Sequence, residues 1–156
     1  MELLLVRHAL AVEQGQVEPD EARPLTEEGR LRFRRVVRAL DRLGLRVDRC
    51  LHSPWTRAVE TADLLAPVID GESVVEPLLA RAPGEELVAS LRGTRPALVG
   101  HEPWMSELLS LLVFGHAREA ERFAFKKGGV ARLEGEARPG GMRLLAFLPP
   151  GTLRKL

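Results

Sequence analysis

The sequence holds one cysteine, no asparagine and only three lysines. A lone thiol, Cys50, cannot cross-link the chain internally, which excludes a disulfide-stapled fold and points to a reducing compartment. Its neighbours are apolar, so Cys50 reads as a buried bystander. No apolar run approaches the roughly 20 residues that a membrane span needs. The opening Met1–His8 segment is too short for a signal-peptide core, lacks a basic leader and runs into charge, so a cytoplasmic protein is expected. With 23 basic and 22 acidic residues the net charge is only +1, which excludes a global basic field for gathering nucleic acid or an anionic membrane. Neither is expected as a partner, and any affinity for anions must come from a local site. Twenty arginines against three lysines fit a heat-adapted source or a biased genome equally well and carry no functional conclusion.

What is present suits one globular domain over residues 1–156, with 45% apolar and 29% charged residues. A chain near this length buries roughly 70% of its unfolded surface without staples. Leu3 to Val6 is a continuous apolar run broken by Arg7-His8, the pattern of a central strand covered on both faces. Glu13 to Arg23 reads as a loop. Thr26 then caps a helix whose stripe is Leu31, Val36, Val37, Leu40 and Leu43, with Gly44 as its stop. Arg32, Arg34, Arg35, Arg38 and Arg42 lie mostly off that stripe, as a solvated face.

Val47 to His52 is a short strand, and Ser53-Pro54 reads as N-cap and first residue of a helix running to about Ala66. Val74 to Glu76 is another strand, Gly84 to Leu91 a helix. Pro96 to Gly100 is a second buried-type strand, and Pro103 to Phe114 an apolar helix closed by Gly115. Two closing strands, Val130 to Glu134 and Met142 to Leu148, flank a turn-rich segment. Strands alternating with helices at this spacing predict βαβ units in a mainly parallel sheet. In such sheets ligands bind beyond the C-terminal strand ends.

Three segments at such ends carry chemistry. Arg7-His8 pairs a nucleophile suited to phosphorus with a planar anion clamp. Arg57 sits in or just beyond the first turn of a helix whose N-terminus favours phosphate. His101 follows Gly100, which lets the backbone approach a ligand closely. Each alone has a bland reading as a polar strand end or a capped helix. Together they suit transfer of a phosphoryl group without a metal, its oxygens held by cationic side chains.

The strand ending in Arg7-His8, the segment Ser53-Pro54-Trp55-Thr56-Arg57-Ala58-Val59-Glu60-Thr61 and the later Gly100-His101 resemble the histidine phosphatase superfamily. Arg23-Pro24-Leu25-Thr26-Glu27-Glu28-Gly29 is similar to a motif of its small SixA-type phosphohistidine phosphatase branch. The resemblance covers residues 3 to about 105. It implies a phosphoglycerate mutase-like three-layer α/β sandwich, its mainly parallel sheet flanked by helices and without a cap domain. His8 would become phosphorylated, Arg7 and Arg57 would bind phosphoryl oxygens, and His101 would stand beside them. Arg23 would be a further substrate contact, with pairing to Asp20 or Glu21 as its alternative.

Ala9 replaces the glycine frequent after the Arg-His pair, and Glu60 replaces a frequent glutamine on what reads as the outer helix face. Pro77 to Gly84 holds no acid to protonate a leaving alkoxide, and Glu85 and Glu86 fit as helix N-terminal charges. A protonated imidazole leaves without such help, so phosphohistidine in a protein is the expected substrate. The alternatives are a small-molecule phosphomonoesterase of the same fold, with Glu13, Glu85 or Glu86 as acid, and a non-catalytic phosphate-binding module. No cofactor and no metal site are expected, because no His/Cys cluster is present. His52 reads as structural, and His116 follows a helix end. A neutral His8 and a protonated His101 would place the pH optimum between about 5 and 8.

Overall fold

The computed structural model describes residues 1–156. Strand β1 (Glu2–Arg7) leads to α1 (Glu27–Arg42), β2 (Val47–His52), α2 (Thr56–Leu64), β3 (Ile69–Val75), α3 (Glu85–Ser90) and β4 (Pro96–Gly100). Then come α4 (Trp104–Phe114), β5 (Val130–Gly135), β6 (Met142–Leu148) and the short α5 (Pro150–Leu153). The six strands form one sheet in the order β3-β2-β4-β1-β5-β6. β3, β2, β4 and β1 pair in parallel, and only β5 runs against its neighbours.

Alternation along the strands builds the three layers. Leu4, Val6, Cys50, Ala97 and Val99 face α1 and α2 through Phe33, Val36, Val37, Leu40, Ala58, Ala62 and Leu65. Leu3, Leu5, Leu51 and Leu98 face the other way, onto Leu87 and Val88 of α3 and Leu108, Leu109 and Leu112 of α4. The expected two-sided burial of Leu3 to Val6 is therefore met, and Cys50 is fully buried, its thiol pushed up to about 11 by burial.

Local expectations divide. Thr26 caps α1, its hydroxyl accepting from Gly29 N at 2.9 Å, and Gly44 ends the helix at φ +67°. The stripe of α1, however, is Phe33, Val36, Val37 and Leu40, while Leu31 and Leu43 are exposed. The helix is turned so that the aromatic ring is covered and Leu31 meets water. Arg32, Arg34, Arg35, Arg38 and Arg42 of α1 are exposed as expected, and Arg30 is half-buried. Helix α2 begins at Thr56, two residues later than the expected Pro54, and ends at Leu64 before a 3-10 turn, Ala66–Val68. β3 is longer than expected and starts at Ile69. It is an edge strand with exposed residues, so it lacks the apolar signature of a covered one. No helix is long and apolar enough to cross a membrane.

Candidate active site

Three parallel strands end level with one another and bring distant residues together. The register pairs Arg7 of β1 with Gly100 of β4, and His52 of β2 with Val99 of β4. Just past those ends, His8 N donates to Gly100 O at 3.0 Å and Ser53 N donates to Val99 O at 3.0 Å. His8, His101 and Ser53 are thus neighbours at one sheet edge. The two imidazole centroids lie 5.2 Å apart, with exposures of 5% for His8 and 2% for His101.

His8 is held in one tautomer. Its Nδ1 stands 2.7 Å from Ala9 O, and a carbonyl only accepts, so Nδ1 carries the proton and Nε2 keeps its lone pair. Backbone contacts fix the same turn: Gly128 N donates to both Arg7 O and His8 O, at 3.1 and 3.0 Å. Gly128 sits at φ +78°, which a side chain rarely tolerates. His101 places Nε2 2.7 Å from the fully buried Ser53 hydroxyl. The same hydroxyl accepts from Trp55 N at 3.3 Å, so Ser53 serves both His101 and the chain entering α2, while Trp55 itself takes the N-cap position.

Arg57 lies in the first turn of α2 and is 3% exposed. Its Nη1 donates to Asp20 O at 2.9 Å and its Nη2 to Asp20 Oδ2 at 3.1 Å. Its guanidinium carbon lies 4.7 Å over the Trp55 ring. One turn on, Thr61 Oγ1 donates to Arg57 O at 2.6 Å and accepts from Ala9 N at 3.0 Å, tying α2 to the segment after β1. Arg23 donates from Nε to Asp20 Oδ1 at 2.8 Å and from Nη1 to Val12 O at 2.6 Å. The pairing of Arg23 with Asp20 is therefore present, and the same carboxylate links Arg23 to Arg57. Arg7 donates from Nη1 to Phe125 O at 2.6 Å. Arg7 Nε, Arg57 Nε and His101 Nδ1 are buried without a hydrogen-bond partner. Native folds seldom leave such groups unpaired, and these suit the oxygens of an anion.

Electrostatics follow from burial among cations. Burial pushes the His8 imidazole well below its ordinary range; the Ala9 bond opposes this, and His101, Arg57 and Arg7 add to it. Burial, then Arg57, pushes His101 down to about 3. The protonated His101 expected from sequence is therefore corrected: with a pKa of about 3 its ring is neutral in the free protein across pH 5 to 8, and the same burial favours the neutral form of His8. Burial lowers Arg57 and Arg7 from their ordinary values, opposed by Asp20 and Glu102 respectively. Arg23, by hydrogen bonding, holds the Asp20 carboxyl below its usual range.

Other expectations shift in role. Glu60 is not an idle outer residue: its carboxylate accepts from Leu25 N and from Arg30 Nη2, each at 2.6 Å, clamping α2 to α1. Gly100 leaves room for packing rather than for a ligand, since a Cβ there would lie 2.6 Å from Met105 Sδ. Glu85 and Glu86 are exposed first-turn residues of α3, and Glu86 pairs with Arg81. His52 is buried, Nδ1 on Ser53 O at 3.0 Å. A depression of about 700 Å³ lies at the opposite sheet edge beside Met1, Glu2, Thr94 and Arg95, and neither His8, His52 nor His101 lines it. No group of three or more His, Cys, Asp or Glu side chains is placed to hold a metal ion.

Residues 3–82 match the model of the histidine phosphatase superfamily (branch 1). The chain belongs to the histidine phosphatase superfamily. An uncharacterized protein of Picosynechococcus is 32% identical over 94% of this chain and 90% of its own length. The structure of the protein histidine phosphatase SixA with tungstate superposes with a TM-score of 0.82 at 22% identity, covering 98% of this chain and 99% of that one. A phosphoserine phosphatase from Entamoeba histolytica, solved with 3-phosphoglyceric acid, gives 0.74 at 17%, covering 97% and 98%. The fold is the phosphoglycerate mutase-like α/β sandwich, and the chain is a hydrolase of the histidine phosphatase type. Around this superfamily's Arg-His and Gly-His signals, sequence reasoning named Trp55 and Thr61 only as members of a motif, without a role, took Asp20 only as a partner of Arg23, and missed Gly128. The Arg57–Thr61 spacing of four, one face of one helix, was the available signal for Thr61.

Proposed function

We propose that residues 1–156 form one catalytic domain that removes the phosphoryl group from phosphohistidine in a protein, through a phosphoenzyme on His8. The carrying observation is His8 itself: a neutral ring, its proton held on Nδ1 by Ala9 O, and its Nε2 free beside His101 and Arg57. Nε2 bonds to phosphorus as the substrate P–N bond breaks, and the bonding pair leaves with the substrate imidazole. Water then attacks phosphorus, the P–Nε2 bond breaks, its proton passes to solvent, and orthophosphate departs. Arg7 and Arg57 hold the phosphoryl oxygens, His101 offers a second ring, and Arg23 contributes through Asp20.

A protein-borne P–N bond fits the carboxylates at hand. Asp20 is kept ionised by Arg23 and Arg57, so it has no proton to give an alkoxide. An imidazole protonated on its other nitrogen leaves without one. The substitution His8→Ala should lower hydrolysis of an aryl phosphate by roughly three orders of magnitude or more. Rapid quenching with labelled substrate should leave an acid-labile, alkali-stable label on His8; label on serine would defeat the mechanism.

One observation favours a second reading, a phosphomonoesterase acting on a small alcohol phosphate. Glu102 directly follows His101, is partly buried, and burial raises its carboxyl above the usual range, though Ser106 N and Oγ bind it at 3.1 and 2.7 Å. If Glu102 protonates an alkoxide, Glu102→Gln should slow phosphoserine turnover about 100-fold or more while sparing phosphohistidine. Rates of the unsubstituted enzyme on phosphohistidine, a phosphoserine peptide and sugar phosphates separate the two readings directly.

A further inference from the structure

The chain has two tryptophans, and both stand at this site. Trp55 lies 4.5 Å from the His101 ring, centroid to centroid, tilted by 44°. Trp104, the first residue of α4, meets His101 edge-on at 6.2 Å and 89°, and meets Trp55 at 5.8 Å and 62°. Both indoles are partly exposed, whereas His8, Arg57 and His101 are nearly covered. A run of rings therefore leads outward from the nucleophile: His8, His101, then Trp55 and Trp104.

We propose that Trp55 and Trp104 form a leaving-group subsite that takes a flat aromatic ring. The proposal rests on the reading that phosphoryl transfer occurs at His8. With phosphorus held by the inner imidazoles and arginines, the group it carries must extend toward solvent, past the two indoles. Trp55 is backed by the Arg57 guanidinium, which fixes its plane, and Trp104 closes the angle beside it. A planar ring meets such a corner by offset or edge-to-face contact, the geometries aromatic pairs prefer. The short carbon chain of a serine or glycerate phosphate covers little indole area, and its polar groups find no partners on the ring faces. The imidazole of phosphohistidine has the right shape, so these two residues set a preference for ring-bearing leaving groups.

The test compares N-phosphoimidazole with phosphoramidate, two P–N substrates of which only the first carries a ring. In Trp104→Leu the preference, the ratio of their kcat/KM values, should fall about three- to tenfold from that of the unsubstituted enzyme, the range expected for one aromatic contact. A ratio that stays within about twofold overturns the subsite. A second measurement leaves both tryptophans intact. In His8→Ala, tryptophan fluorescence titration should show phosphoimidazole binding about three- to tenfold tighter than phosphoramidate, and equal affinities overturn the subsite. Turnover of neither substrate by the unsubstituted enzyme would instead remove the phosphatase reading at His8, so the two failures are distinct.

Discussion

Lowering the pH from 7 to 5 should destabilise the fold through His101 by about 2 kcal/mol. The ring has a pKa of about 3 in the native protein, against about 6.5 in an unfolded chain. Between those values the unfolded chain binds a proton that the native state refuses. The stability held by the neutral ring is thus complete above about pH 6.5 and is lost as the pH falls below it, at about 1.4 kcal/mol per unit. From pH 7 to 5 roughly one and a half such units are traversed, which gives about 2 kcal/mol. His8 acts in the same direction, and Glu102, whose carboxyl is raised, acts in the opposite one. The substitution His101→Gln isolates the His101 share. Urea unfolding at both pH values, with a slope near 2 kcal/mol per molar, should show the unsubstituted protein losing about 1 M more in midpoint than the variant does. Equal losses in the two proteins would mean that His101 is charged or solvated in the native state, and its neutral ring would have to be given up.

Other outcomes follow from individual contacts. Asp20→Ala leaves the buried Arg57 without its carboxylate and should cost about 1–3 kcal/mol of stability, read by urea melts, with KM rising more than kcat falls. Thr61→Val removes both the acceptor for Ala9 N and the donor to Arg57 O, so a loss of about 1–3 kcal/mol and a lower kcat are expected. Phe33→Ala should cost about 3–5 kcal/mol, whereas Leu31→Ala on the same helix should stay within about 0.5 kcal/mol, a contrast that thermal melts resolve. Excess EDTA should leave the aryl phosphatase rate unchanged, and a strong loss would reveal a required metal.

The sheet was legible where burial writes a continuous apolar run. Leu3 to Val6 and Pro96 to Gly100 are covered on both faces, and their ends at Arg7-His8 and His101 followed from the same pattern. β3 was only partly legible, because an exposed edge strand carrying Asp70, Gly71 and Glu72 has no apolar face to read. The start of α2 differs because Ser53 has a second partner, His101, 48 positions away in the chain and without a sequence signature. Local propensity sees a serine before a proline and expects a cap; the hydroxyl does accept from Trp55 N, but it also meets His101, and the helical turn closes only after Trp55. Asp20 was considered only beside Arg23, three positions on, since its second bond, to Arg57 across 37 positions, has no sequence signature. The residues that meet at strand ends could be inferred from topology, and those that connect one strand end to another could not.

On the proposed reading, those connections make anion binding and a neutral nucleophile one electrostatic property rather than two. Burial first, and then His101, Arg57 and Arg7, lower the affinity of His8 for a proton, and the two arginines carry buried, unpaired Nε groups that the proposed mechanism assigns to phosphoryl oxygens. In the proposed mechanism a cationic pocket excludes the proton that would occupy Nε2 and attracts the anion that Nε2 would attack. Asp20 limits that field from outside: it binds the Nη groups of Arg57 while leaving Nε unpaired, so the guanidinium is oriented without being consumed. A lysine in place of Arg57 would keep the charge but lose this two-sided geometry, since an ammonium cannot hold Asp20 along one edge and an anion along another.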